Sequence, residues 1–221
     1  RNPNPHLSSK QAYFPSVVLM ENGEMLAAFV IGQAFESVDI RTYISRSKDM
    51  GETWSDPELL LKEQPNKLLT DGSRITSVPG GEIVAMVHQC HREDHPDGGF
   101  ANPENLGFIR TDMVLARSTD FGHTWNVSKP LEAPLVGPSF ELCSPIMVFK
   151  DGRWIWPTST WRNWEGYEPN GMKMVAWVSH DKGKTWPEFM DVMDGNAEKV
   201  IHWESKVIEL KSGPLLSVAW A

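Results

Sequence analysis

The sequence predicts an all-β fold, a β-propeller of repeated four-stranded blades, and three observations predict it. An eight-residue pattern recurs three times. A strand, a Gly turn and a second strand precede each copy, and that hairpin appears once more near residue 221. Ten tryptophans in 221 residues, several at one relative position, mark a repeat.

The pattern occupies Ser47 to Trp54, Ser118 to Trp125 and Ser179 to Trp186, always as S-x-D-x-G-x-T-W. Its aspartates, Asp49, Asp120 and Asp181, stand 71 and then 61 residues apart. The chemistry suits a tight hairpin. A carboxylate accepts backbone N–H bonds across the turn, and Gly supplies the positive φ such a turn needs. Thr favours the strand that follows, and Trp gives it a large apolar anchor. A strand-like run precedes each copy: Thr42 to Ser45, Met113 to Ala116 and Met174 to Val178.

The second pattern is the hairpin. Ser16 to Leu19 leads through Asn22-Gly23 to Glu24–Phe29, and Ser73 to Thr76 leads through Gly80-Gly81 to Glu82–Val87. Ser144 to Met147 leads through Asp151-Gly152 to Arg153–Trp156, and Ser205 to Ile208 leads through Ser212-Gly213 to Pro214–Val218. Each unit is then four strands with a Gly turn between the first two and the Asp-centred turn between the last two. The expected blades are 12–61, 70–129, 138–190 and an incomplete one at 201–221. An incomplete ring exposes strand edges, so the chain reads as the first part of a longer propeller.

Composition narrows the function. Hydrophobic residues make up 40% and charged residues 23%, and the formal charge is −8. That balance argues against a general nucleic-acid binder, although a few arginines can hold one carboxylate. No apolar run reaches the ~20 residues of a membrane span. The first ten residues lack the apolar stretch of a leader. Cys90 and Cys143 are too few for a disulfide framework and read as buried thiols.

Asp-centred turns on four-stranded blades resemble the sialidase (neuraminidase) superfamily of Asp-box (BNR repeat) propellers, over essentially the whole chain. Other Asp-box propellers include xyloglucan-cleaving glycosidases and sortilin-type receptors. The phrase Glu204-Ser205-Lys206-Val207-Ile208 is similar to the sialidase segment in which a glutamate opens the inner strand of blade four and polarises a tyrosine nucleophile from a later blade. The resemblance implies six blades in the complete protein, a retaining exo-α-sialidase type of activity on a terminal acidic sugar, and no cofactor. It implies a carbohydrate partner and favours a secreted or periplasmic location. It also makes the Asp boxes structural.

Strand direction places the working face. The Gly turns and Asp boxes share one end of each blade, and the links between second and third strands share the other with Glu204. Those links carry Glu36 and Asp39, then the polar stretch His88 to Asp112, then Trp161, Arg162, Trp164 and Tyr167. Long loops on a rigid scaffold are where binding residues gather. Glu204 is the first catalytic candidate; the alternative is a carboxylate satisfied by backbone N–H groups. In the family the acid/base aspartate lies in the first such loop, which points to Asp39, 25 residues after Phe14. Counting back from the first Asp box points to Glu36 instead.

Phe14 is the main departure, because the resemblance implies an arginine there to clamp a substrate carboxylate. A phenyl ring cannot make that charge-assisted pair. Arg41 and Arg74 are the nearest substitutes, Arg74 otherwise a surface or inter-blade salt-bridge former, and Arg162 and Trp161 complete the substrate-binding candidates. The run His88, Cys90, His91 and His95 matches no zinc spacing and reads as a loop of solvated histidines with no metal. One N-x-S triplet begins at Asn126. A non-catalytic propeller binding glycans or proteins, or a glycosidase of different specificity, is the alternative reading.

Overall fold

The structure, a computed structural model, describes residues 10–62 and 67–221. The stretch 1–9, most of the segment read above for a leader, lies outside the described residues, as does 63–66. The chain divides into two compact units, Arg1–Phe100 with Asp112–Lys129, and Ala101–Thr111 with Pro130–Ala221. Among the described residues, no helix is long and apolar enough to cross a membrane.

The first unit holds two antiparallel four-stranded sheets, each in chain order. One comprises β1 (Gln11–Leu19), β2 (Met25–Gly32), β3 (Arg41–Ser47) and β4 (Glu58–Leu59). The other comprises β5 (Leu69–Ser77), β6 (Ile83–His91), β7 (Thr111–Ser118) and β8 (Asn126–Val127). Between the sheets lies a core of Leu26, Ala28, Ile44, Leu60, Ile75, Ala85, Val87, Val114 and Ala116. Alternating apolar residues of β1–β3 meet those of β5–β7, each large aliphatic contributing about 1.5–3 kcal/mol on burial.

The second unit holds β9 (Ser139–Phe140), β10 (Met147–Val148), β11 (Trp154–Trp161), β12 (Met174–Ser179) and β13 (Glu188–Met193) in one sheet, and the hairpin β14 (Trp203–Glu209) with β15 (Leu215–Trp220). Every residue of β11 and β12 is buried, as a strand covered on both faces must be. Trp156 and Phe140 pack edge-on against Trp177, with ring centroids 4.9 and 4.8 Å away.

Two expectations change. The first strand of the third blade is not continuous from Ser144: β9 and β10 pair with β11 separately, on either side of residues 141–146. Pro145 has no N–H to give a ladder, and the Ser144 hydroxyl donates instead to the Ser205 carbonyl. The closing strands β4 and β8 are two residues long, against six in β13.

The Asp boxes share one construction. In the first, the Ser47 hydroxyl donates to Asp49 Oδ1 (2.8 Å) and accepts the Gly51 N–H (2.8 Å). Asp49 Oδ1 also accepts the Thr53 N–H (2.8 Å), and Oδ2 the Thr53 hydroxyl (2.5 Å). The same bonds recur at Ser118, Asp120, Gly122 and Thr124, and at Ser179, Asp181, Gly183 and Thr185. The residue before each Gly is left-handed too: Met50, Phe121 and Lys182 have φ of 58, 58 and 60°. Serine therefore has a defined part in the motif, linking the turn's N–H to the carboxylate.

Candidate functional site

The four Gly-turn hairpins give a common frame. Met20, Val78, Phe149 and Leu210 each donate across the turn to the residue four positions on. Six residues ahead of these lie Phe14, Gly72, Cys143 and Glu204, which are therefore equivalent positions. The β5–β6 ladder is regular through Gly72. The β1–β2 ladder shifts between Tyr13 and Ser16, and β14–β15 shifts between Trp203 and Lys206. Phe14 and Glu204 sit inside these bulges with φ of 54 and 49°. A bulky residue with positive φ is strained by about 1–3 kcal/mol, and a bulge re-aims the side chain it carries.

In the first unit the bulge presents Phe14, 40% exposed. Its ring is 6.2 Å from that of Tyr13 and 5.9 Å from that of Phe35, which the β2–β3 loop supplies. Tyr13 and Phe35 are 5.8 Å apart and nearly perpendicular. The Arg74 guanidinium, from β5, lies 5.4 Å above the Phe14 centroid, and its Nη1 donates to the carbonyls of Phe14 (3.2 Å) and Ser73 (3.1 Å). Arg74 thus stands beside the position where the resemblance implies an arginine.

The same loop carries both acid candidates. Asp39 is exposed, and its carboxylate accepts the Gln33 N–H (3.1 Å to each oxygen) and the Ser37 hydroxyl (2.5 Å). These bonds hold it at the loop's base. Glu36 is left-handed, with φ 62°. Its Oε2 accepts the Phe100 N–H (3.1 Å) and its carbonyl accepts Nη2 of Arg92 (3.1 Å). Arg41 is occupied: Nε donates to Asp71 Oδ2 (2.6 Å), and the other Asp71 oxygen accepts the Thr42 N–H (2.7 Å).

The polar stretch after β6 differs from expectation. His88, Cys90 and His91 lie within the strand, and Cys90 and His91 are buried. Burial holds His88 down at about 4 and pushes the Cys90 thiol up to about 12, so both stay neutral. His91 Nε2 lies 2.8 Å from Asp112 Oδ2 and Nδ1 lies 3.7 Å from Glu93. For His88 and His91 the solvated-loop reading fails because β6 runs to His91; His95 lies beyond the strand. Arg92, which the sequence did not single out, is fully buried against Phe100, 5.0 Å from its centroid, and desolvation lowers its pKa. Its carbonyl partners, Glu36 and Gly98, fasten the two loops of this unit together.

In the second unit the bulge presents Glu204, half-buried, whose N–H donates to Glu141 Oε2 (2.8 Å). Ligand atoms of Glu141, Cys143 and Glu204 all lie within 4.8 Å of one another, and this is the one such cluster of potential metal ligands among the described residues. Glu141 and Cys143 belong to the interrupted first strand of blade three, whose departure from the ladder brings them to Glu204. Sequence reasoning missed both; Glu141 carried no motif.

Trp203, preceding Glu204, is 5.8 Å from Trp161 and 5.6 Å from Trp220. Trp161 is 9% exposed and donates through Nε1 to the Leu106 carbonyl (2.7 Å), so it backs Trp203 from within. Arg162 is enclosed in its loop by a two-pronged pair with Glu168 (2.8 Å each) and a bond to the Asn105 carbonyl (2.9 Å). Of the outer aromatics in that loop, Tyr167 is 58% exposed.

No family model and no curated protein matches the sequence. Solved structures do. A protein of unknown function from Dyadobacter fermentans is 22% identical, with a TM-score of 0.71, over 96% of this chain and 63% of its own. A Hadza microbial sialidase is 19% identical, with a TM-score of 0.70, over 94% and 42%. The GH93 α-L-arabinofuranosidase of Fusarium graminearum, solved with arabinobiose, is 18% identical, with a TM-score of 0.65, over 95% and 56%. The chain therefore spans between two fifths and two thirds of these proteins' lengths, and it has the sialidase-like β-propeller fold that the Asp boxes imply.

Proposed function

We propose that the chain is the catalytic-blade portion of a retaining exo-glycosidase in which Glu204 activates the nucleophile and Asp39 is the acid/base. One observation carries the reading: Glu204 occupies a strained left-handed bulge at the head of an inner strand, its carboxylate beside Glu141 and Cys143. Such strain persists where the surrounding structure holds a residue for a task.

In the scheme the resemblance implies, Glu204 accepts the phenolic proton of a tyrosine from a later blade as that oxygen attacks the anomeric carbon. Asp39 donates a proton to the leaving oxygen, then takes one from the water that releases the sugar. Asp39 suits the acid/base role better than Glu36 in one respect, its exposure, since Glu36 is half-buried. Similarity to sialidases and to an arabinofuranosidase alike supports the glycosidase class.

The sugar is the finer question. An exo-α-sialidase acting on a terminal acidic sugar is what the resemblance implies, with Arg74 holding the carboxylate in place of the missing arginine. A glycosidase of different specificity is favoured by Phe14 itself, whose ring receives the Arg74 guanidinium. The proposed blade bounds are 12–61, 70–129, 138–190 and, incomplete, 201–221.

The test is release of fluorophore from aryl α-sialoside and aryl α-L-arabinofuranoside by the complete protein, with Glu204→Gln and Asp39→Asn alongside. Turnover that Glu204→Gln abolishes supports the reading and names the sugar. A folded protein that turns over neither substrate, nor any of a panel of other aryl glycosides, removes catalysis and leaves a glycan-binding propeller.

A further inference from the structure

We propose that the aromatic cluster of Tyr13, Phe14 and Phe35 is a stacking platform for a neutral sugar ring, so that the substrate is an uncharged glycoside. This deepens the glycosidase reading and rests on it for the link to catalysis, though not for binding.

The cluster is assembled from two elements for a surface position. Phe14 arrives through a strained bulge of β1, Phe35 from the β2–β3 loop, and they remain 40% and 48% exposed. A core contact would have buried them. The rings meet edge-on or tilted, at 43, 73 and 61°, and a large part of Phe14 and Phe35 stays open to solvent. Sugars present axial C–H groups on one face, and such a face stacks on aromatic rings while its hydroxyls bond to polar groups at the edge. Asp39 lies four residues after Phe35 in the same loop.

An anionic sugar fits poorly here. A carboxylate needs donors in a fork, whereas Nη1 of Arg74 is shared between the carbonyls of Phe14 and Ser73 and the guanidinium lies over the ring. The loop that brings Phe35 also brings Glu36 and Asp39, so a second carboxylate meets like charge. Desolvating a carboxylate against three aromatic rings carries a further penalty.

The experiment is saturation-transfer NMR on the complete protein with three probes: arabinobiose, methyl β-galactopyranoside and free N-acetylneuraminic acid. The expected result is transfer to the C–H protons of at least one neutral probe and none to the acid. Phe35→Ala and Phe14→Ala should each weaken neutral binding by at least about fivefold. Phe35→Leu should weaken it similarly, because a stacked ring needs a π face and a greasy contact does not. Phe35→Ala lies in an exposed loop, so it stays informative should Phe14→Ala fold poorly.

Binding of the acid as tight as that of the neutral sugars overturns the proposal. So does neutral binding that Phe35→Ala and Phe35→Leu both leave unchanged, and so does a folded protein that binds no probe. Binding without turnover separates the two readings: it sinks the glycosidase and leaves the platform standing.

Discussion

The bulge in β1 and the bulge in β14 are the same backbone device with opposite chemistry. Each falls six residues before a Gly turn, each forces one residue to positive φ, and each follows an aromatic residue, Tyr13 or Trp203. The first shows a phenyl ring among aromatic neighbours, the second a carboxylate near Glu141 and Cys143. In β5 the equivalent residue is Gly72, and the ladder runs through without a shift. The bulge is thus a mounting, used twice, and the side chain placed on it decides what each unit contributes.

The largest expected effect separates the two mountings. Glu204→Gln should lower kcat by about 10²–10⁴-fold, the usual contribution of a positioned proton acceptor, with KM little changed. Phe14→Ala should do the reverse and raise KM several-fold at nearly constant kcat. Equal losses of kcat from both substitutions would break the comparison. Steady-state kinetics on the cleaved glycoside checks both.

Next come the candidate arginines, one locked in each unit. Asp71 is 3% exposed and serves both Arg41 and the Thr42 N–H, whereas Glu168 is 32% exposed in its pair with Arg162. Asp71→Ala should therefore destabilise by about 3 kcal/mol, and Glu168→Ala by about 1 kcal/mol or less. Urea unfolding gives both numbers. A small Asp71 effect would return Arg41 to the list of residues able to reach a substrate.

The sequence announced the blades because their signals are local. Glycine in a turn, alternating apolar strands and the S-x-D-x-G-x-T-W frame each act within a dozen residues, and the hairpins fell where those signals lay. What it hid depends on register. Whether Arg41 faces a ligand or Asp71 turns on pairing across 30 residues. Glu141 reaches Glu204 only because Pro145 and the Ser144 hydroxyl interrupt a strand. His88 and His91 looked solvated because a polar run resembles a loop, yet β6 continues through both. Phe14 was visible as a missing arginine with Tyr13 beside it, but its partners Phe35 and Arg74 come from separate elements that no spacing connects.

Backbone strain offers a finer contrast. Glycine relieves left-handed strain, so Glu204→Gly should stabilise by about 1 kcal/mol even as it removes activity. Phe14→Gly gains the same relief but loses ring contacts and the Arg74 stack, together about 0.5–2 kcal/mol. Its net change should fall near zero or below. Thermal melts of the two variants would sharpen the comparison, and equal gains would mean that the Phe14 ring contributes nothing to the fold and is held for a ligand alone.

The smallest effect lies in the boxes, two in the first unit and one in the second. The Thr53 hydroxyl and N–H, with Ser47, hold Asp49 down at about 2, against an ordinary 3.8. At Asp181 burial pushes upward, and the bonds from Thr185 and Ser179 outweigh it to give about 2. Asp120 is lowered as well, chiefly by Thr124. The folded carboxylates bind protons less readily than the unfolded ones, so their stabilisation is complete above about pH 4 and is lost as the pH falls through about 2. Unfolding midpoints should accordingly be flat above that window and fall within it. Thr53→Val keeps the shape and the N–H bond but deletes the hydroxyl, so the Asp49 carboxyl should titrate closer to 3.8 by NMR. Thr185→Val should move Asp181 less, because the hydroxyl is a smaller part of what lowers it. An equal shift in both would show that the box behaves identically in the two units, whatever the burial of its aspartate.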